Sequence, residues 1–190
     1  MISVYYAIAA GMTVLIISTI IMLKKKVAYK KILAAAIFNI YITGIVSLTF
    51  FPIDFTHKVD SNFNIFDNKL LLIPFHTMIT DLTMGHYFNL IVHSGGNLLM
   101  TVPLGILLPI VFKVKHKISY FIVFFLFTLT IETGQLLIGC FLNTWYRTAD
   151  IDDIILNFSG AVIGYIIFLI THKIITKMKK AQSLQDTSSE

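Results

Sequence analysis

The residues between positions 147 and 157 carry the side chains best suited to binding a charged ligand. Arg147 is the only arginine in a chain of 190 residues, and Asp150, Asp153 and Asn157 follow it. A guanidinium group binds carboxylates and phosphates through two parallel hydrogen bonds, whereas a lysine offers only a point charge. We therefore expect Arg147 either to hold an anionic group of a ligand or to form a buried ion pair with a carboxylate such as that of Glu132.

The spacing of the polar residues after Arg147 predicts that they share one face of a helix. Asp150, Asp153 and Asn157 are separated by three and four residues, and Gly160 and Gly164 continue the same stripe. Residues at these spacings lie above one another on an α-helix. The upper part of this face would be acidic and polar, and the glycines in its lower part would let another helix approach closely.

The composition predicts an integral membrane protein that positions these residues on transmembrane helices. Mean hydropathy is +0.81, and hydrophobic residues make up 56% of the chain against 13% charged residues. A soluble domain of this length needs more polar surface than that. Five apolar segments have the length of about 20 residues that a bilayer requires. The predicted fold class is all-α, a polytopic helical bundle with spans near residues 4–23, 32–51, 89–112, 118–140 and 152–171.

The distribution of basic residues predicts the orientation of the bundle. One end of a five-span bundle carries twelve lysines, and the other carries only Lys58, Lys69 and Arg147. The twelve are Lys24, Lys25, Lys26, Lys30, Lys31, Lys113, Lys115, Lys117, Lys173, Lys177, Lys179 and Lys180. Lysine-rich short loops stay in the cytoplasm, so we expect the N-terminus outside and the C-terminus inside. The same clustering explains the net charge of +5 without a nucleic-acid partner.

The chain is expected to contain one membrane domain with short flanking segments. Residues 1–31 hold the first span and a basic turn, residues 32–172 form the main membrane domain, and residues 173–190 form a basic and then polar cytoplasmic tail. We expect the tail to be disordered from Ala181 onward. The longest connection contains the apolar stretch from Leu70 to Ile79, which is expected to lie at the membrane interface or to re-enter the membrane, with Pro74 preventing a straight helix.

Polar residues inside the predicted spans form a second group of candidates. At the rise of an α-helix, Glu132 would lie roughly 13 Å deep, and Asn97 and Asn157 about 12 Å deep. Gln135 lies one turn above Glu132. Matching depths on three helices predict an outward-facing polar cavity, although the amides would also be explained by hydrogen bonds between helices. The candidate cavity residues are Arg147, Glu132, Asp150, Asp153, Asn157, Asn97 and Gln135.

Recognised catalytic signatures do not occur in the sequence, so we assign no catalytic residue and no cofactor. Zinc would require ligands from a set of outward-facing side chains whose spacing does not indicate a metal site, so none is assigned. The set is His57, His76, His86, His93, Asp81 and Glu132. The pair Gly95–Gly96 is expected to serve helix packing rather than phosphate binding. Pro103 in the third span is expected to shape that helix.

The motifs together resemble those of the VanZ-like family of small bacterial membrane proteins. The matching segments are Leu72–Phe75, Asn97–Gly105, Glu132–Gln135 and Arg147–Gly164. The resemblance covers roughly residues 40–172, and residues 100–102 (Met-Thr-Val) replace an aromatic part of the usual motif. It implies a location in the bacterial plasma membrane and an association with low-level resistance to teicoplanin, a glycopeptide that binds cell-wall precursors. It implies no mechanism.

Three functions follow from these observations. The favoured one is non-enzymatic: the protein would bind or move an amphiphilic, anionic ligand, such as a lipid-linked cell-wall precursor or a lipoglycopeptide, with Arg147 holding the anion. The second is an intramembrane enzyme acting on a lipid or cell-wall intermediate, with Glu132 or Asp150 as general base. In the third, the polar residues only specify helix packing, and the protein has a structural or partner role.

Overall fold

The chain folds as an α-helical bundle in a computed structural model that describes residues 1–53, 55, 70–142 and 149–188. The elements are α1 (Val4–Lys24), α2 (Tyr29–Phe50), β1 (Leu70–Leu71), α3 (His76–Thr83), α4 (Tyr87–Val111), α5 (Ile118–Leu142), β2 (Ala149–Asp150) and α6 (Ile151–Ser188). Five of these helices, all except α3, are long and apolar enough to cross a membrane. The predicted all-α, five-span fold class is therefore confirmed.

The five long helices alternate in direction, which gives the bundle two distinct ends. At the end that we call the upper end, α2 and α5 finish and α1, α4 and α6 begin. An antiparallel bridge between Ile2 and Ile53 joins the start of α1 to the residues after α2 there. The opposite, lower end carries the lysine-rich connections. The side of the membrane that each end faces stays a prediction from the lysines.

The final helix is longer than the sequence indicated. We expected disorder from Ala181, but α6 continues to Ser188. The physical reason is that no proline or glycine follows Gly164, and residues such as Lys, Ala, Gln and Leu favour helix continuation. The expectation of a disordered tail is wrong for the part of it that the structure describes.

Helices α4 and α6 pack backbone against backbone along three glycines. A Cβ atom added to Gly160 would lie 2.0 Å from the carbonyl oxygen of Leu98, and one added to Gly164 would lie 2.0 Å from that of Val102. From the other side, a Cβ atom on Gly105 would lie 2.0 Å from the carbonyl oxygen of Ala161. The predicted close approach at Gly160 and Gly164 is confirmed, and α4 is its partner.

An aromatic cluster fixes α5 against the same pair of helices nearer the lower end. The ring of Tyr165 on α6 packs against Tyr120, Phe121 and Phe124 on α5, with centroid distances of 5.2, 5.6 and 6.1 Å. Phe124 is fully buried. The Tyr120 hydroxyl also donates to the carbonyl oxygen of Phe112 at 2.9 Å, which ties the start of α5 to the end of α4.

A short parallel β-pairing organises the upper end. Leu70 of β1 is paired with Ala149 of β2, and Leu71 with Asp150. After β1 the chain turns through Phe75, whose φ of 63° is left-handed, and enters α3. The expectation that Pro74 prevents a straight helix is confirmed. The proposed interfacial stretch is thus a strand, a turn and the start of a helix that packs against α4 and α6.

Candidate functional site: a polar cavity at the upper end

A cavity of about 710 Å³ lies among α2, α3, α4, α5 and α6 at the upper end of the bundle. Its volume falls within the range that small-molecule sites usually have. Five of the seven residues predicted from the sequence line it, namely Asn97, Glu132, Gln135, Asp153 and Asn157. They come from the three helices α4, α5 and α6, and their depth in the membrane stays a prediction.

Arg147 lies outside the described residues. Its predicted pairing with Glu132 and its predicted role in holding an anion therefore stay predictions. The described part of the same motif begins at β2, which leads directly into the first turn of α6.

Asp150 does not share the helical face of Asp153, so that expectation is wrong. A shared face requires the helix to include residue 150, but α6 begins at Ile151 because Ala149 and Asp150 pair with β1. Asp150 is the residue immediately before the helix, and its Oδ1 accepts a hydrogen bond from the Asp152 backbone N–H at 2.9 Å. This is the geometry of a helix N-cap. Its Oδ2 accepts from the Thr77 hydroxyl at 2.6 Å, which fastens α3 to the start of α6.

Asp152, in the first turn of α6, also helps to join α6 to the segment around α3. One of its carboxylate oxygens accepts a hydrogen bond from the backbone N–H of Phe75, the residue with the left-handed φ. A carboxylate in this position is also favoured by the positive end of the helix dipole. Its second oxygen is buried and has no hydrogen-bond partner within the described ranges. Asp150 and Asp152 together therefore attach the turn before α3, and α3 itself, to the first turn of α6.

Glu132 is almost completely buried, at 3% exposure, and faces the same helix start. Its Oε2 accepts a hydrogen bond from the Asp150 backbone N–H at 3.2 Å. A carboxylate at this position also lies near the positive end of the α6 dipole, which stabilises its negative charge. Three residues further along α5, Gln135 donates from Nε2 to the carbonyl oxygen of Thr49 at 3.0 Å. Gln135 thus both lines the cavity and links α5 to α2.

Asp153 connects α6 to α4 across the cavity. Its Oδ1 accepts a hydrogen bond from Asn97 Nδ2, and His93 Nδ1 lies 3.7 Å from the same oxygen. The side chain of His93 is half exposed, whereas that of Asp153 is largely covered. All three side chains line the cavity, so they present a carboxylate, an amide and an imidazole on one wall.

Asn157 contributes a buried acceptor to the cavity wall. The residue is only 1% exposed, and its backbone carbonyl accepts a hydrogen bond from the Thr101 hydroxyl at 2.6 Å. Its side-chain Oδ1 is buried and has no hydrogen-bond partner among the described residues. Buried polar atoms are nearly always hydrogen-bonded, so an orphan acceptor at a cavity is a candidate contact for a bound donor.

Sequence reasoning missed the contribution of α3. Thr77 and Asp81 line the cavity, and Asp81 Oδ1 lies 3.7 Å from His86 Nδ1. Neither residue lies in a predicted span, and contacts distant in sequence bring α3 to the cavity: the β1–β2 pairing and the hydrogen bonds to Asp150 and Asp152. In the part of the chain that the structure describes, no group of three His, Cys, Asp or Glu side chains could hold a metal ion.

Among the residues that the structure describes, the pair Gly95–Gly96 does not serve packing, so that expectation is wrong there. A Cβ atom added to either residue would meet no described atom within 4 Å, and Gly96 lines the cavity. The remaining lining is largely apolar: Leu48, Phe88, Val92, Met100 and Ile131. The cavity therefore combines a polar wall with an apolar one.

The fold and the cavity together define a multi-pass α-helical membrane protein with a polar pocket between its helices. The model of the VanZ/LLP1 family matches residues 38–172, which is more than half of the chain. The chain belongs to the VanZ/LLP1 family, as the resemblance over residues 40–172 predicted. Comparisons with curated proteins and with solved structures find no match.

Proposed function

We propose that this protein binds the polar head of an amphiphilic molecule of the bacterial cell envelope in the upper cavity, and that this binding lowers susceptibility to teicoplanin-type glycopeptides. The observation that carries the proposal is the buried Asn157 Oδ1, which has no hydrogen-bond partner among the described residues and lies on the wall of a cavity of about 710 Å³. Membership of the VanZ/LLP1 family supports the link to the cell envelope. The upper end would face outward, as the lysine distribution predicts.

The described lining favours hydrogen-bond donors in the part of the ligand that enters the cavity. Asp81, Glu132 and Asp153 supply carboxylates, and the lining within the described ranges includes no lysine or arginine. Hydroxyl, amide N–H or ammonium groups would be accepted there. The anionic group of the ligand would be held by Arg147. A lipid-linked cell-wall precursor or a lipoglycopeptide combines such donors with an anionic group and an apolar chain.

The two carboxylates that were candidates for a general base are both hydrogen-bonded within the protein, which fits a protein that binds a ligand without catalysis. Glu132 accepts from the Asp150 backbone N–H, and Asp150 accepts from Asp152 and Thr77. These bonds stabilise the charged carboxylates in fixed positions, which suits orientation of a ligand better than proton transfer. The hydrogen bonds that join helices also fit a purely structural role. Glycopeptide tolerance measured together with protein abundance distinguishes that role from ligand binding.

The test measures teicoplanin susceptibility in a deletion strain complemented with variants, alongside the amount of protein in the membrane. Asp153→Asn and Asn157→Leu should lower the tolerated concentration to that of the strain without the gene, while protein abundance stays normal. The matched control is Thr130→Val, because Thr130 is exposed on α5 and its hydroxyl bonds only within its own helix. Full tolerance at normal abundance in both variants would refute the proposal. Tolerance lost together with abundance would support the structural role.

A further inference from the structure

A second cavity, of about 250 Å³, lies at the lower end of the bundle, opposite the polar cavity. It is formed where α1 and α4 end and α2 begins. Two lysines flank it, Lys31 from the first turns of α2 and Lys113 just after α4. Its floor is apolar and includes Met22, Ala34 and Ile110. We call this site the lower groove.

The two lysines provide positive charge that no nearby carboxylate neutralises. Both side chains are exposed, and neither forms an ion pair with any residue that the structure describes. No Asp or Glu lines the lower groove within the described ranges. Two ammonium groups on either side of a small concave site are therefore available to a ligand with concentrated negative charge.

The walls of the lower groove indicate that such a ligand also has an apolar part. Ala34 and Ala35 are small, so they leave open space along α2 beside Lys31. Ile110 on α4 is 46% exposed and borders the same space. Both helices are membrane-span candidates by length and composition, so we expect this surface to lie beside the lipid at the membrane boundary. A soluble anion would use the lysines but leave the apolar walls uncovered.

We infer that the lower groove binds the phosphate head group of an anionic phospholipid. Lys31 and Lys113 donate to the phosphate oxygens, and the first part of an acyl chain lies along Ala34, Ala35 and Ile110. Basic pockets between transmembrane helices recognise phospholipid head groups through this combination of charge and shape. The site is distinct from the upper cavity and does not depend on the function proposed for it.

The test uses the full chain in neutral detergent micelles with dioleoylphosphatidylglycerol added, and native mass spectrometry measures the fraction of protein that retains lipid. Wild-type protein should retain this lipid and not dioleoylphosphatidylcholine, whose head group has no net charge. The double variant Lys31→Gln/Lys113→Gln should bind the anionic lipid roughly thirtyfold more weakly, the factor expected for two lysine contacts. The control pair Lys177→Gln/Lys179→Gln removes the same charge from the exposed part of α6 and should change binding less than twofold.

A second variant separates shape from charge. Ala34→Leu keeps both lysines but fills the lower groove, and it should also weaken retention of dioleoylphosphatidylglycerol by at least fivefold. If the control pair loses as much binding of the anionic lipid as Lys31→Gln/Lys113→Gln, the inference is overturned. The lipid would then be attracted by the overall positive charge and not by the lower groove. Unchanged retention in the double variant or in Ala34→Leu would overturn it as well. Complete displacement of the lipid by roughly 10 mM inorganic phosphate would show that the site takes a free anion instead, whereas retention under these conditions supports the phospholipid.

Discussion

Substitution of Gly160 by alanine should separate α4 from α6 and disrupt the cavity wall. The added Cβ atom would lie 2.0 Å from the Leu98 carbonyl oxygen and 2.4 Å from the Thr101 hydroxyl oxygen. Real Cβ atoms essentially never come closer than 3.0 Å to such a neighbour, so the two backbones must move apart by about 1 Å. That movement lengthens the 2.6 Å hydrogen bond from Thr101 to the Asn157 carbonyl.

The expected cost can be estimated from these contacts. Forcing an extra carbon into a well-packed contact costs about 1–3 kcal/mol. Weakening an interhelical hydrogen bond such as that from Thr101 adds about 0.6 kcal/mol. The better helix propensity of alanine returns up to about 1 kcal/mol. We therefore expect Gly160→Ala to lower the free energy of unfolding by about 1–3 kcal/mol, measured by titrating the purified protein in mixed micelles with a denaturing detergent.

Gly95→Ala is the matched control for this experiment. Gly95 lies on α4, and a Cβ atom there would meet no atom of the described residues within 4 Å. The control should therefore be as stable as the wild-type protein or more stable by up to about 1 kcal/mol. A Gly160→Ala variant within 0.5 kcal/mol of the wild-type value, on the order of the scatter for neutral substitutions, would refute the close packing of α4 and α6.

Three further predictions concern the side chains around the cavity. Asp150→Ala removes an N-cap and should lower the free energy of unfolding by about 1–2 kcal/mol in the same titration. The loss should be smaller when Thr77 has already been changed to valine, because the two side chains share a hydrogen bond. Equal losses in both backgrounds would show that they do not interact. Asn157→Leu removes a buried acceptor that has no partner among the described residues, so stability should stay the same or rise while teicoplanin tolerance falls; a loss above about 2 kcal/mol would contradict this. Gln135→Leu should cost about 0.6 kcal/mol, because the bond to the Thr49 carbonyl is lost, and a neutral result would show that this bond does not stabilise the bundle.

Much of the fold was predictable because a membrane admits few backbone structures. A lipid-exposed chain must satisfy its own hydrogen bonds, so long apolar runs become helices, and their positions in the sequence define the spans. The depth of Glu132, Asn97 and Asn157 followed from the constant rise of these helices. The close approach at Gly160 and Gly164 followed from spacing alone, and only the identity of the partner helix required the structure.

The predictions that were wrong concern residues whose surroundings depend on contacts with parts of the chain distant in sequence. Helical spacing placed Asp150 on the face of α6, but pairing with Leu71 holds it in a strand. The same pairing brings Thr77 and Asp81 to the cavity, and neither residue lies in a predicted span. Gly95 and Gly96 were assigned to packing because glycine pairs often have that role, yet periodicity cannot show that the space beside them is open.

The attachment of α3 to the start of α6 has a consequence for how the protein is made. Thr77 and Phe75 are hydrogen-bonded to residues that lie more than seventy positions later in the chain. During synthesis, the segment that covers the cavity emerges before the helix that anchors it. A nascent chain arrested after α5 would lack both Asp150 and Asp152, so α3 would keep its packing against α4 but not the hydrogen bonds that fasten it to α6. The part of the cavity wall that Asp153 and Asn157 contribute is therefore added only when α6 has been inserted.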